Sequence, residues 1–194
     1  MRKYIICLLA AFLVLVGCSN QGFEKGKTTK VSSTEKVTTT TTEIVETTEA
    51  AVEKVETYQY EETAEGFKQV IKETLVYKDE KFTRIELHVT QEPDEAVKSS
   101  LAGLDFGTVR SQLLEHLEQQ SFVQQLRAIS GLELAMDVTP DYFIIMNIKI
   151  DMATIDLQAL SNVEGVGADF TELATVSPSA YILGLKLKGA VQVP

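Results

Sequence analysis

"FTRIELHVT", Phe82 to Thr90, alternates between polar and apolar residues from Arg84 onward. Ile85, Leu87 and Val89 fall on one face of an extended chain, and Arg84, Glu86, His88 and Thr90 fall on the other. Successive side chains of a strand point to opposite faces, so this run reads as a half-buried strand of an antiparallel sheet, apolar towards a core and polar towards solvent. Just before it, "YKDEKF", Tyr77 to Phe82, reads as a turn, and Phe67 to Tyr77 is rich in β-branched and aromatic residues, which suit a pleated surface. Tyr58 to Glu62 reads as a further short strand. This half of the domain is expected to form a hairpin or a three-stranded meander.

Towards the C-terminus the period changes. Pro93 breaks the strand pattern and Asp94 is a helix start. Val109, Leu113 and Leu117 then share a helical stripe, which slips to a new angle at Phe122, Leu126 and Ile129. Ser121 and Gln124 are spaced as a capping box at that slip, so the segment is either one bent helix or two short ones, with Gly131 as its end. Leu132–Val138 and Tyr142–Met152 flank "TPD" and read as a second hairpin. In its later strand Ile144, Met146, Ile148, Ile150 and Met152 face one way, and Asn147, Lys149 and Asp151 face the other. "TIDLQALSNVEGVG" holds a short helical turn and a glycine-rich exit, and Asp169 to Leu173 is too brief to assign. Ser177 at N-cap and Pro178 at N1 open a last helix, which runs to Lys188 and closes at Gly189. Strands and helices segregate rather than alternate, so the expected class is α+β: an antiparallel sheet built from two hairpins, packed against one long or bent helix and a C-terminal helix.

This order over Tyr58 to Lys188 resembles the YehR-like bacterial lipoproteins. The resemblance is carried by "LVYKDEKF", Leu75 to Phe82, by "NIKIDMATIDLQALSNVEGV", Asn147 to Val166, and by the position of the closing Ser-Pro helix. It implies a small α+β domain on a lipid anchor and no activity that carries over. The chain departs from the family in its long threonine-rich segment and in the residues around Leu101 to Phe106.

The N-terminus agrees with such an address. Arg2 and Lys3 precede twelve unbroken apolar residues, Ile5 to Val16, too short a run to span a bilayer, which takes about 20. Charge, a short apolar core and then small residues make a secretory signal over residues 1–17. Its end, Leu15-Val16-Gly17-Cys18, resembles the lipobox, in which a small residue admits the peptidase and the cysteine sulfur takes a diacylglyceryl group. Cys7 lies inside the apolar run and would leave with the signal, so Cys18 would be the one cysteine of the mature chain and no intrachain disulfide would form. Two acyl chains hold a protein on a membrane stably, each buried CH₂ contributing about 0.8 kcal/mol. Residues 18–51 follow as a tether: Thr28 to Thr48 holds ten threonines in 21 residues and few large apolar side chains, too few to offset the entropy of ordering. Residues 52–194 remain for a single domain.

That domain has 12 basic against 23 acidic residues, which argues against nucleic acid and against direct docking on anionic lipid. The chemistry-bearing residue types are sparse. His88 sits on the polar face of a strand and His116 on a helix, without metal-ligand spacing. No G-x-S-x-G elbow is present, and "GVGADF", Gly165 to Phe170, lacks the lysine and helix of a phosphate loop. Asp151 with Asp156, or Glu61 with Glu62, are conceivable acid/base pairs, with solvated surface carboxylates as the plain alternative. Tyr58, Tyr60, Phe67 and Tyr77 could line a groove, with core packing as the alternative. The sequence therefore predicts no catalytic residue, no metal and no cofactor. The expected function is a non-catalytic binding or accessory module on a bacterial surface. It would be lipid-anchored outside the cytoplasm, on the single membrane of a thick-walled cell, and its partners would be that membrane and another envelope protein. An envelope hydrolase using surface carboxylates and a small solute-binding lipoprotein are the competing expectations.

Overall fold

The computed structural model describes residues 52–64, 67–163 and 170–194. The apolar leader, Leu15 to Cys18, the threonine-rich segment and Gly165 to Asp169 of "GVGADF" lie outside the described residues.

The strand runs β1 (Lys54–Ala64), β2 (Phe67–Lys78) and β3 (Lys81–Gln91) form the first meander. Helices α1 (Glu95–Leu101), α2 (Phe106–Glu118) and α3 (Ser121–Arg127) follow, then the hairpin of β4 (Leu132–Val138) and β5 (Ile144–Asp151). The chain ends with α4 (Leu157–Ser161), a 3-10 turn (Phe170–Ala174), α5 (Pro178–Leu187) and β6 (Val191–Val193). All six strands join in one antiparallel sheet, ordered β4-β5-β3-β2-β1-β6. The α+β class is as the sequence implies. The two hairpins become one sheet because β5 pairs with β3, Arg84 opposite Asp151 through Gln91 opposite Ile144.

Local chemistry sets the punctuation. Asp79 and Glu80 both have positive φ, 50° and 59°, the arrangement that a two-residue hairpin turn needs to match the twist of its strands. Asp94, Asp105, Asp156 and Ser177 each accept a backbone N–H at the start of a helix and so satisfy donors the helix cannot. At the far end of α5, Gly189 takes φ 89°. Its N–H bonds Lys186 O at 3.0 Å, and the Ala190 N–H bonds Leu185 O at 3.0 Å. That pair of bonds is the Schellman motif, and it turns the chain back along β1.

Two expectations need correction, and one strand was missed. The slip in the helical stripe is a break between two helices, and the Ser121–Gln124 capping box does not form. Gln120 is the N-cap and gives no side-chain capping bond; its side chain turns back to donate to His116 O at 3.1 Å, and Gln119 and Gln120 still close α2 through Glu115 O and Leu117 O. Ser121 is thus already helical, and its hydroxyl accepts from Gln125 Nε2 at 2.9 Å. Gly131 does not end the helix, which is finished at Arg127. At φ +79° Gly131 instead lets the backbone of Thr154 and Ile155 approach, where a Cβ would stand 2.4 Å from Ile155 N. Finally, β6 is absent from the sequence reading: three residues are too few to show alternation.

The core lies on one face of the sheet. Tyr58, Ile71, Leu75, Ile85, Leu87, Met146, Ile148 and Ile150 share a cluster with Leu117, Phe122, Leu126, Leu160, Tyr181 and Leu185 of the helices. Tyr58, Tyr60, Phe67 and Tyr77 are all buried, so they are packing residues and line no groove. The outer strand β4 is guarded from edge-to-edge pairing by Arg127, whose Nη1 donates to Leu134 O at 2.9 Å.

Candidate functional site

The register places every second residue on the sheet face opposite the core cluster. Lys72, His88, Asn147 and Ala135 form one row across β2, β3, β5 and β4, and Thr57, Thr74, Glu86, Lys149 and Glu133 form the next. Because Ala135 and the two threonines are small, these rows enclose a shallow trough of about 530 Å³, to which each of these nine residues contributes. That volume lies within the range of small-molecule sites.

The polar groups of the trough are partly engaged with one another. Lys149 Nζ pairs with Glu133 Oε1 at 3.1 Å, and Arg84 beside the trough pairs with Glu86 Oε1 at 2.7 Å. The Thr57 and Thr74 hydroxyls meet at 3.0 Å. His88 Nδ1 is 2.7 Å from Asn147 Oδ1, and His88 Nε2 is 3.3 Å from Thr90 Oγ1. A carbonyl oxygen can only accept, so Nδ1 carries the proton and Nε2 accepts from Thr90. Lys72 is exposed and has no partner among the described residues.

On the covered face the polar groups obey a different rule. Glu73 is 0 % exposed. Tyr181 of α5 donates to its Oε1 at 2.6 Å, while Oε2 has no partner among the described residues. Burial pushes the Glu73 carboxyl up to about 7, against the smaller opposing pull of the Tyr181 hydrogen bond and the Lys188 charge. Tyr181 is itself held well above the usual phenol range, by burial first and by Glu73 second. Gln69 and Gln91 share the same face, 3.3 Å apart. At the other end of β1, Glu56 accepts from the hydroxyls of Tyr58 and Tyr77, and these bonds hold its carboxyl below the usual range. The sequence reading missed Glu73, and strand parity is the signal that could have found it: it falls in step with Phe67, Gln69, Ile71, Leu75 and Tyr77, and an acid in a mostly apolar phase points to a buried carboxyl.

The residues singled out by sequence are not brought together. His116 lies on α2 and contacts Gln120, 3.2 Å away. Asp151 accepts from Ala153 N and Thr154 Oγ1, and Asp156 from Ala159 N, so both organise local turns. Glu61 pairs with Lys68 at 3.2 Å. Glu62 is raised by burial, with Lys188 opposing. Among the described residues no three His, Cys, Asp or Glu side chains gather to hold a metal ion. No helix among them is long and apolar enough to cross a membrane.

A family model matches residues 52–185. A protein from Streptococcus pneumoniae TIGR4, solved by NMR, is similar in fold with a TM-score of 0.61 and 18 % identity, over 90 % of this chain and 100 % of that one. YehR of E. coli, also solved by NMR, aligns at a TM-score of 0.49 and 20 % identity, over 73 % of this chain and 92 % of that one. No curated protein matches the sequence.

Proposed function

The chain belongs to the family whose model spans residues 52–185, and from that premise we propose that it is a bacterial surface lipoprotein whose α+β domain is a non-catalytic binding module. Cys18, placed after Leu15, Val16 and Gly17, carries the diacylglyceryl group and becomes the mature N-terminus. Residues 18–51 space the domain from the outer face of the cytoplasmic membrane.

The observation that carries the binding reading is the sheet face that no described helix covers. Helices α2 to α5 each place buried side chains, Leu117, Phe122, Leu126, Leu160, Tyr181 and Leu185 among them, in the core cluster on the other face, and the face they leave holds the polar trough between Thr57 and Glu133. A sheet that buries one face and leaves the other polar and hollow is a ready platform for a partner. The acidity of the domain keeps it off the anionic surface to which it is tied.

Replacing Cys18 tests the anchor. In Cys18→Ala cells grown with radiolabelled palmitate, the protein incorporates no label and is released or remains as an unprocessed precursor. Normal labelling and membrane retention of the variant would refute the reading.

A further inference from the structure

We infer that Val97 and Leu101 of α1, Leu104, Phe106 and Tyr142 form an apolar patch that docks a partner protein, through a segment in which an aliphatic side chain is flanked by lysine or arginine. This surface is separate from the trough on the open sheet face.

These side chains are held together. α1 buries no residue, although Val97 and Leu101, one turn apart, share one side of it. Beyond α1 the Leu104 N–H bonds Leu101 O at 3.1 Å, in a turn where Gly103 takes φ 82°, and Leu104 is left 54 % exposed. From the β4–β5 hairpin the Tyr142 hydroxyl donates to Leu101 O at 3.3 Å, and its ring lies 6.0 Å from that of Phe106. Tyr142 holds this place at φ 62°, a left-handed backbone that is unfavourable for a bulky side chain. Hairpin and helices are thus tied around one apolar group, of which no member is buried. A lone exposed apolar side chain is ordinary, whereas a contiguous group marks a contact surface.

Charge selects the occupant. Asp94 and Glu95 at the start of α1, Asp105 between Leu104 and Phe106, and Asp141 beside Tyr142 form an exposed rim. The basic side chains of these segments are already engaged, Lys98 with Glu92 and Glu95 at 2.9 and 3.0 Å, and Arg110 with Asp137 at 2.7 Å. Across residues 92–110 and 137–143 six acidic residues stand against two basic ones. A second copy placed patch to patch would set these carboxylates against their like, and anionic lipid would repel them. A basic segment is attracted instead, and its aliphatic side chain covers Leu104. A patch of so few side chains cannot fill a standard interface of about 1,600 Å², so the contact is transient and weakens with salt.

The full-length chain is purified into nanodiscs of phosphatidylcholine, a lipid without net charge. A photo-crosslinking phenylalanine analogue replaces Leu104 or, as a control, Leu183, which is 58 % exposed on α5. The probes are a leucine–lysine peptide, its leucine–glutamate counterpart and a serine–lysine peptide. The expected result is saturable capture of the leucine–lysine peptide at Leu104, about tenfold weaker for each of the other two and at Leu183. Reversing the rim with Glu95→Lys and Asp141→Lys lowers capture to a similar extent, whereas Asp141→Glu keeps it. Salt at about 1 M, where the Debye length is about 3 Å, lowers it without any change to the rim and so reads the charge dependence independently of how the reversed variant folds. Equal capture of the lysine and glutamate peptides, equal capture at both positions, or capture indifferent to salt overturns the inference. So does a crosslinked dimer or a lipid adduct as the main product at Leu104, the first assigning the patch to a second copy of the chain and the second to the membrane.

Discussion

The two faces of one sheet handle polar groups in opposite ways. On the covered face Glu73 is sealed under α5, bonded to Tyr181 and pushed towards its neutral form. On the open face Lys72 stands without a partner among the described residues. Both belong to β2, separated by one residue position. The contrast follows from dielectric surroundings: water screens and solvates an exposed ammonium, whereas a carboxylate out of water must be bonded or stay protonated. Polar groups on the covered face are therefore committed to the fold, and those on the open face remain available.

Cutting into the covered face should give the largest effect. Leu75→Ala empties the centre of the cluster and is expected to cost about 2–5 kcal/mol in chemical denaturation. A loss below about 1 kcal/mol would mean that this face is not a close-packed core. Next is the buried acid. Its carboxyl titrates at about 7 in the folded chain against an ordinary 4.5, so between those values the folded chain keeps a proton that the unfolded chain has lost. The stabilisation is full below the ordinary value and disappears as pH rises through about 7, on the order of 3 kcal/mol. Glu73→Gln should remove that pH dependence while keeping an acceptor for Tyr181. Comparing the two proteins by unfolding at about pH 5 and about pH 8 checks this, and an identical pH response in both would contradict it. The smallest effect belongs to the open face. Lys149→Ala breaks an exposed pair with Glu133 and should cost less than about 1 kcal/mol, with a similarly small coupling in the double-mutant cycle. A coupling well above that would show the trough to be shielded from water.

Much of this contrast is legible in sequence where a run is long enough to show its period. β3 alternates through Phe82 to Thr90, and β5 through Ile144 to Met152, and both lie as their patterns imply. Ser177-Pro178 opens α5 as the cap chemistry requires. β1 extends beyond Tyr58–Glu62 to Lys54–Ala64, because pairing with β2 along its whole length supplies bonds that a polar, weakly patterned stretch does not advertise. The Ser121–Gln124 spacing misleads for a related reason: the preceding helix has already claimed the turn in which the box would form. The trough is not legible at all, since its residues come from five strands, β1 to β5, and the β3–β5 pairing that joins the meander to the second hairpin is not encoded locally.

By itself the sequence determined the α+β class, the two hairpins, the helix caps at Asp94 and Ser177 and the composition of the β3 and β5 faces. All of these follow from interactions between residues close in the chain, whose periods and capping preferences are local. Only the tertiary structure decided that β5 lies against β3, that three residues after Gly189 return as β6, and that Glu73 is roofed by Tyr181 from 108 positions away. It alone also brought Lys72, Asn147 and Thr57 to one hollow. Those choices rest on burial and on backbone pairing between distant segments, which no local period encodes.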